Sequence, residues 1–291
     1  MTSVYRVKLF RWDFPEKETY RKDALANGVI GFGWVASQAQ TCNCLAMYKE
    51  NLEQQIKEGW IKDAGSWRHT LKFLQQMYPG DFVWTLGGDG QYYCGKIVDR
   101  EIHFYWPGHP AVGMWKKCQW KKYTHDQVPG KVITSLIIGG TLQHVQDVTE
   151  YTAYLYDGTS FAQKPNFFSL LHPDDLEDLL GLYLQEQKGY YIFPSTNKTG
   201  TALFEYMLVQ KTTGKKAVIQ CKTGNSVVPP GNIGIFTTEY KDMDVYITTL
   251  RDDDYTGPNI HVIKKETLRT WALQHLPILP GRIKNFLLIS Q

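Results

Sequence analysis

Apolar and polar residues alternate along the first half of the chain in a way that predicts a mixture of strands and helices. A period of two, or a short apolar run between turn residues, indicates a strand, whereas apolar residues three or four positions apart indicate a helix. Strands are predicted over residues 4–14, 28–34, 82–85, 92–98, 102–106 and 112–123, and helices over residues 45–61, 66–77 and 141–156.

The second half combines a β-hairpin with flanking helices. Strands are predicted over residues 202–210, 217–221, 244–250 and 260–263, and helices from residue 172 and over residues 267–275. Pro173 at a first helical position, followed by two acids, is typical of a helix N-terminus. Between the halves, residues 157–166 contain glycine, serine and proline. This segment predicts a boundary between one domain at 1–157 and another at 165–291.

The hairpin of the second half carries a candidate site. Glu205 interrupts an apolar run, and a charge in such a run is costly unless it is paired or binds a metal. Gln220 and Lys222 are two residues apart on the next strand, so they point to the same face of the sheet. An acid, an amide oxygen and an ammonium together can hold a hard divalent cation and a phosphate. The alternative is a solvated hairpin face, on which a lone acid and a lysine are common.

The same residues carry a resemblance to a nuclease superfamily. Phe204-Glu205 and the later Ile219-Gln220-Cys221-Lys222 resemble the PD-(D/E)XK nucleases in the branch with Gln-x-Lys, above all the Mrr-type restriction endonucleases. That group also has a glutamate on the preceding helix, upstream of a Gly-Tyr pair, as Glu177 precedes Gly189-Tyr190 here. The resemblance covers about residues 165–250 and implies a mixed α/β sheet flanked by helices.

The resemblance also implies roles for individual residues. Glu205, Gln220 and Glu177 would be the ligands of Mg²⁺ or Mn²⁺, and all three would act in catalysis together with Lys222. This chain departs from the group's pattern at Glu205, where an aspartate is usual. As an alternative, Glu177 is one more surface acid on a helix.

The first half resembles the EVE and wider PUA-like family. The matching stretches are GVIGFGW at 28–34, PGDFVW at 79–84, YYCGKI at 92–97 and VGMWKKCQW at 112–120. The resemblance implies a small β-barrel with helices that binds nucleic acid, and several members hold an extruded base in an aromatic pocket. Trp34, Trp84 and Trp106 are the candidate pocket walls, although each is equally suited to a core position.

Lysines alternate with aromatic residues in the last of these stretches. This pattern suits phosphate neutralisation combined with base stacking, but it also suits an ordinary solvated face. The candidate phosphate contacts are Lys116, Lys117, Lys121 and Lys122.

Composition narrows the class of protein. The net charge is only +3, and the basic excess lies in residues 1–150, which also hold eight of the nine tryptophans. The chain has no apolar run long enough to cross a membrane and no apolar signal-peptide core. Five cysteines without framework spacing are typical of reduced thiols, so a cytoplasmic location is expected.

Together these patterns predict a two-domain α+β protein that acts on DNA. We expect a modification-dependent endonuclease of restriction or antiviral defence, which recognises a modified base with residues 1–157 and hydrolyses double-stranded DNA with residues 165–291. A homodimer is expected, because each chain would carry one active site. The alternatives are an RNA nuclease with the same chemistry and a nucleic-acid-binding protein whose nuclease fold is inactive.

Overall fold

The computed structural model describes residues 2–9, 17–33, 42, 44–59, 66–108, 112–138, 140–193, 196 and 203–291. The chain divides into two compact units, Met1–Gln163 and Lys164–Gln291. Each unit contains helices and a β-sheet, which confirms the predicted α+β class. In the described part of the chain, every helix is too short or too polar to cross a membrane.

The first unit is built on a curled mixed sheet that forms a half-barrel. Its strands are β1 Val4–Val7, β2 Val29–Phe32, β3 Phe82–Leu86, β4 Tyr92–Ile97, β5 His103–Phe104, β6 Met114–Tyr123 and β7 Leu142–His144. The strand order is β2-β6-β4-β3-β1-β7, with β5 also paired to β6. β1 and β3 run parallel, and the other pairs are antiparallel.

Helices cover both apolar sides of this sheet. They are α1 Lys17–Ala26, α2 Leu45–Lys57, α3 Ser66–Gln76, α4 Gly130–Ile137 and α5 Thr149–Asp157. One core cluster joins α1, α2 and α3 to the sheet, and a second joins α4 and α5 to it. The buried positions of α2 and α3 have the spacing from which these helices were predicted.

The prediction of one helix over residues 141–156 is wrong. β7 occupies the beginning of this segment, and α5 starts only at Thr149. β7 pairs with β1, and the buried guanidinium of Arg6 donates hydrogen bonds to the Gln143 side chain and the Gly140 carbonyl. These contacts come from distant parts of the sequence, so local helical periodicity does not reveal them.

The second unit contains a five-stranded mixed sheet. Its elements are α6 Phe167–Leu170, α7 Pro173–Lys188, β8 Tyr190–Ile192, β9 Met207–Gln210, β10 Lys216–Lys222, α8 Pro230–Thr238, β11 Asp244–Thr249, β12 Ile260–Val262, α9 Lys265–Gln274 and α10 Gly281–Ile289. The order is β12-β11-β10-β9-β8. β8, β9 and β10 are antiparallel, whereas β10, β11 and β12 are parallel. β10 is therefore central, and α8 forms the crossover from β10 to β11.

Helix α7 begins where the sequence predicts. The His172 side chain accepts a hydrogen bond from the Asp174 amide, and the Asp175 carboxylate accepts one from the His172 amide. These bonds satisfy N–H groups that a helix N-terminus otherwise leaves unpaired. The helix ends at Lys188, and the next residue, Gly189, has a φ of 66°, the left-handed conformation that glycine adopts without strain. One face of the helix is buried and carries Leu176, Leu179, Leu180 and Leu184.

The first strand of the predicted hairpin is shorter than expected, because regular pairing begins only at Met207. Upstream, the amide of Glu205 donates to the carbonyl of Ile219, and the amide of Ile219 donates to the carbonyl of Tyr206. Two consecutive residues thus oppose one, which is the arrangement of a β-bulge. Residue 202, at the start of the predicted strand, lies outside the described residues.

Candidate functional site

The candidate site of the second unit is formed by three elements. β10 is the central strand of its sheet, and it carries Gln220 and, as its last residue, Lys222. Glu205 lies in the bulge beside β10, and bulges commonly redirect a side chain next to a functional site. Glu177 lies on α7, which packs on β10. The fold thus brings residues from three distant parts of the sequence to one place.

The predicted sheet residues contact each other directly. The Nε2 of Gln220 donates a hydrogen bond of 2.6 Å to Oε1 of Glu205, and Nζ of Lys222 lies 3.9 Å from the same oxygen. Gln220 is only 1% exposed, and its Oε1 is buried without a hydrogen-bond partner. Buried polar atoms are nearly always paired, so this amide oxygen is available to a ligand.

Glu177 belongs to the same electrostatic environment. Burial, followed by the negative charge of Glu205 and more weakly by those of Asp174 and Asp178, raises the pKa of its carboxyl to about 8. The ammonium of Lys222 acts in the opposite direction. Because like charges at one place oppose ionisation, an additional cation there would stabilise both carboxylates. Burial, Glu177 and Glu205 also raise the pKa of the Cys221 thiol well above its usual range.

These side chains fit a hard divalent cation. Mg²⁺ takes oxygen ligands, keeps several waters and uses one or two protein carboxylates. Glu205 and Glu177 could supply the carboxylates, and Gln220 could supply its unpaired amide oxygen. Within the described ranges, no group of three or more His, Cys, Asp or Glu side chains is arranged to hold a metal. A site here therefore depends on the glutamine as well as on the two acids.

One further contact of this site has no signal in the sequence. Tyr206, the neighbour of Glu205, is 3% exposed, and its hydroxyl donates a hydrogen bond of 2.6 Å to the backbone carbonyl of Glu177. A tyrosine in an apolar run has the pattern of an ordinary core residue. Only the packing of α7 on the sheet reveals the bond.

The tryptophans proposed as pocket walls in the first unit have a different environment. Trp84 is fully buried, and its indole N–H donates to the Thr152 hydroxyl. Trp106 is 6% exposed, belongs to the main core cluster and packs over Gly108, where a Cβ would meet its ring. Both are core residues, which corrects their assignment as pocket walls. Trp34 lies outside the described residues.

The lysines of β6 also differ from one another. Lys116 is fully buried, and its ammonium donates hydrogen bonds to the carbonyls of Met77 and Arg100, both at 2.8 Å. Burial lowers the pKa of this ammonium. Lys116 thus joins distant loops of the unit, and its assignment as a phosphate contact is corrected.

Three exposed lysines remain on β6. Lys122 forms a salt bridge with Asp89 at 2.8 Å. Lys121 donates to the Tyr156 carbonyl and lies over the Tyr156 ring. Lys117 lies on the exposed face opposite the buried Lys116, as the alternation of β6 requires. Their predicted contact with phosphates stays a prediction.

No protein-family model matches the chain, and a search of curated proteins finds no significant match. The function is therefore argued from the site itself.

Proposed function

We propose that this protein is a metal-dependent DNA endonuclease that acts on modified DNA. The observation that carries the proposal is the convergence of Glu205, Gln220 and Lys222 at the central strand of a mixed sheet, with Glu177 on the adjacent helix. The sheet and its helices also support the proposal, because the resemblance to Mrr-type enzymes implies a mixed sheet flanked by helices.

Each residue has a role that its environment supports. Glu205, Gln220 and Glu177 would hold Mg²⁺, or Mn²⁺, through their side-chain oxygens. When bound, such a cation lowers the pKa of a water and stabilises the leaving oxygen of a phosphodiester. Lys222 is partly exposed and keeps its ammonium close to Glu205, so it can orient a scissile phosphate and neutralise its charge. The buried Gln220 keeps the Glu205 carboxylate in place.

The first unit would recognise the DNA. A modified base that is extruded from the duplex would stack on an aromatic wall, and Trp34, which lies outside the described residues, is the remaining candidate of the predicted set. The exposed lysines Lys117, Lys121 and Lys122 would contribute affinity that is independent of sequence. Each chain would carry one active site, so a homodimer would place one site at each strand.

The test is digestion of phage DNAs with different base modifications, with Mg²⁺ and with a chelator. We expect Mg²⁺-dependent cleavage of at least one modified DNA and none of its unmodified counterpart. Lys222→Ala should abolish cleavage, while DNA binding in a gel-shift assay remains within about twofold, since one phosphate contact contributes little to total affinity.

Lys216→Ala is the matched control. Lys216 is the first residue of β10 and Lys222 the last, so both changes remove one lysine from the same strand. Lys216 is exposed and its loss should leave cleavage unchanged. Cleavage of RNA in place of DNA would favour the RNA nuclease, and DNA binding without any cleavage would favour an inactive nuclease fold. Equal cleavage by wild type and Lys222→Ala would contradict the proposed site.

A further inference from the structure

The bond between Tyr206 and the Glu177 carbonyl links the two carboxylates of the candidate site. Tyr206 follows Glu205 directly in the sequence, and its hydroxyl donates a hydrogen bond to the backbone of α7 at Glu177. One residue thus connects the strand that carries one acid to the helix that carries the other. We infer that Tyr206 is a positioning residue, which holds Glu177 at the distance from Glu205 that a bound divalent cation requires. This inference rests on the function proposed above.

The β-bulge gives the link a fixed geometry on the strand side. Both Glu205 and Tyr206 are hydrogen-bonded to the single residue Ile219 of β10. Since Ile219 is fully buried in the central strand, the backbone that carries Glu205 and Tyr206 is held on a rigid support. A rotation of either side chain about this backbone is limited by its buried partner, Gln220 for Glu205 and α7 for Tyr206.

On the helix side, Gly181 allows the Tyr206 hydroxyl to approach α7 closely. A Cβ at this position would collide with the Tyr206 hydroxyl. Glycine in a helix costs about 1 kcal/mol relative to alanine, so its presence in the middle of α7 has a local disadvantage. The space that Gly181 leaves is filled by the hydroxyl that reaches Glu177, which is four residues, or one helical turn, away.

In this arrangement Tyr206 would orient a metal ligand without touching the metal itself. Groups that orient a ligand are worth about 10- to 100-fold in metal affinity even though they do not touch the metal. Removal of the Tyr206 hydroxyl would let the turn of α7 that carries Glu177 move away from the sheet. The Glu205 carboxylate, held by Gln220, would remain in place.

The experiment measures Mg²⁺ affinity by calorimetry on the full chain. Tyr206→Phe keeps the ring and removes only the hydroxyl, and we expect Mg²⁺ binding about 10- to 100-fold weaker than in wild type. Tyr190→Phe is the matched control, because Tyr190 is equally buried but its hydroxyl bonds to Asp244 and Tyr246. The control should bind Mg²⁺ as wild type does.

A second variant approaches the link from the helix. Gly181→Ala displaces the Tyr206 hydroxyl and should also weaken Mg²⁺ binding, although alanine favours the helix. In the double variant with Tyr206→Phe, the new methyl group occupies the space that the hydroxyl vacated. The double variant should therefore bind Mg²⁺ no more weakly than Tyr206→Phe alone, which is the non-additivity expected of a shared contact.

The outcomes separate the two proposals. If wild type binds no Mg²⁺, the proposed function fails, and this inference fails with it. If wild type binds Mg²⁺ and Tyr206→Phe binds it as tightly as Tyr190→Phe does, Tyr206 is an ordinary core residue and only this inference is overturned.

Discussion

Burial separates residues whose chemistry is identical. Lys116 and Lys117 are neighbours on β6, yet Lys116 is fully buried and Lys117 is exposed, because successive side chains of a strand point to opposite faces. A lysine can be buried here because its ammonium donates hydrogen bonds to two carbonyls. Glu177 and Glu186 of α7 also differ in burial, since Glu177 is partly buried and Glu186 is exposed. This difference leads to a prediction about pH.

Because the pKa of Glu177 is raised in the folded state, we expect its carboxylate to destabilise the metal-free protein as the pH rises. Its carboxyl titrates near 4.5 when unfolded and at about 8 when folded, so the folded state holds the proton more tightly. The associated stability is fully present below about pH 4.5 and is lost as the pH rises to about 8. Relative to Glu177→Gln, wild type should lose up to about 1.4 kcal/mol of unfolding free energy per pH unit in this window.

Urea denaturation in the presence of a chelator, at pH values from 4.5 to 9, measures this difference. Glu186→Gln removes one exposed carboxylate from the same helix and controls for the change in net charge. A constant difference between wild type and Glu177→Gln across the range would contradict the prediction.

Among the elements, α7 depends both on local sequence signals and on contacts with residues far away in the chain. Its beginning follows from the sequence, because Pro173 and the two acids after it are typical of a helix N-terminus. Its position, however, depends on a buried ion pair that no local sequence pattern indicates. Arg282 of α10 donates from both Nε and Nη2 to Oδ1 of Asp175, at 2.9 and 2.7 Å, and both side chains are buried.

This ion pair predicts a large loss of stability in Arg282→Ala. The change leaves the Asp175 carboxylate buried without its cation, which typically costs about 3–5 kcal/mol. The double variant Asp175→Asn/Arg282→Met removes both charges and should recover most of the loss, since the pair itself contributes little net free energy. The free energy of unfolding in urea is the measurement.

Lys264→Ala is the comparison for an exposed pair in the same unit. Lys264 forms an ion pair with Asp254, whose side chain is 84% exposed, and also donates to the Asp252 carbonyl. Exposed ion pairs contribute about 0–1 kcal/mol. A loss of similar size in Arg282→Ala and Lys264→Ala would show that the buried pair has no special role in positioning α7.

For the whole molecule, the division at Gln163 predicts two independent folding units. Each unit has its own sheet and its own buried core, which is the usual condition for folding alone. Fragments 1–163 and 164–291 should each show a cooperative thermal transition by circular dichroism. Mg²⁺ binding should remain with the second fragment. A fragment that is soluble but lacks a cooperative transition would refute this prediction for its unit.

The sequence alone determined the class of the fold and most of the elements, because those depend on local periodicity and on end signals. The helix from Pro173, the hairpin containing Gln220 and Lys222, and the strands 92–97 and 114–123 all have patterns that the flanking residues reinforce. The candidate site residues of the hairpin were found in the same way, since a period of two places Gln220 and Lys222 on one face.

The tertiary structure alone decided which residues meet and which are buried. Residues 142–144 form a strand because they pair with β1. The tertiary structure placed Trp84, Trp106 and Lys116 in the interior, where an aromatic ring or a lysine stem has the same local pattern as at a surface. It also brought Tyr206 to the carbonyl of Glu177. These outcomes depend on contacts between residues far apart in the chain, and such contacts leave no local periodicity in the sequence.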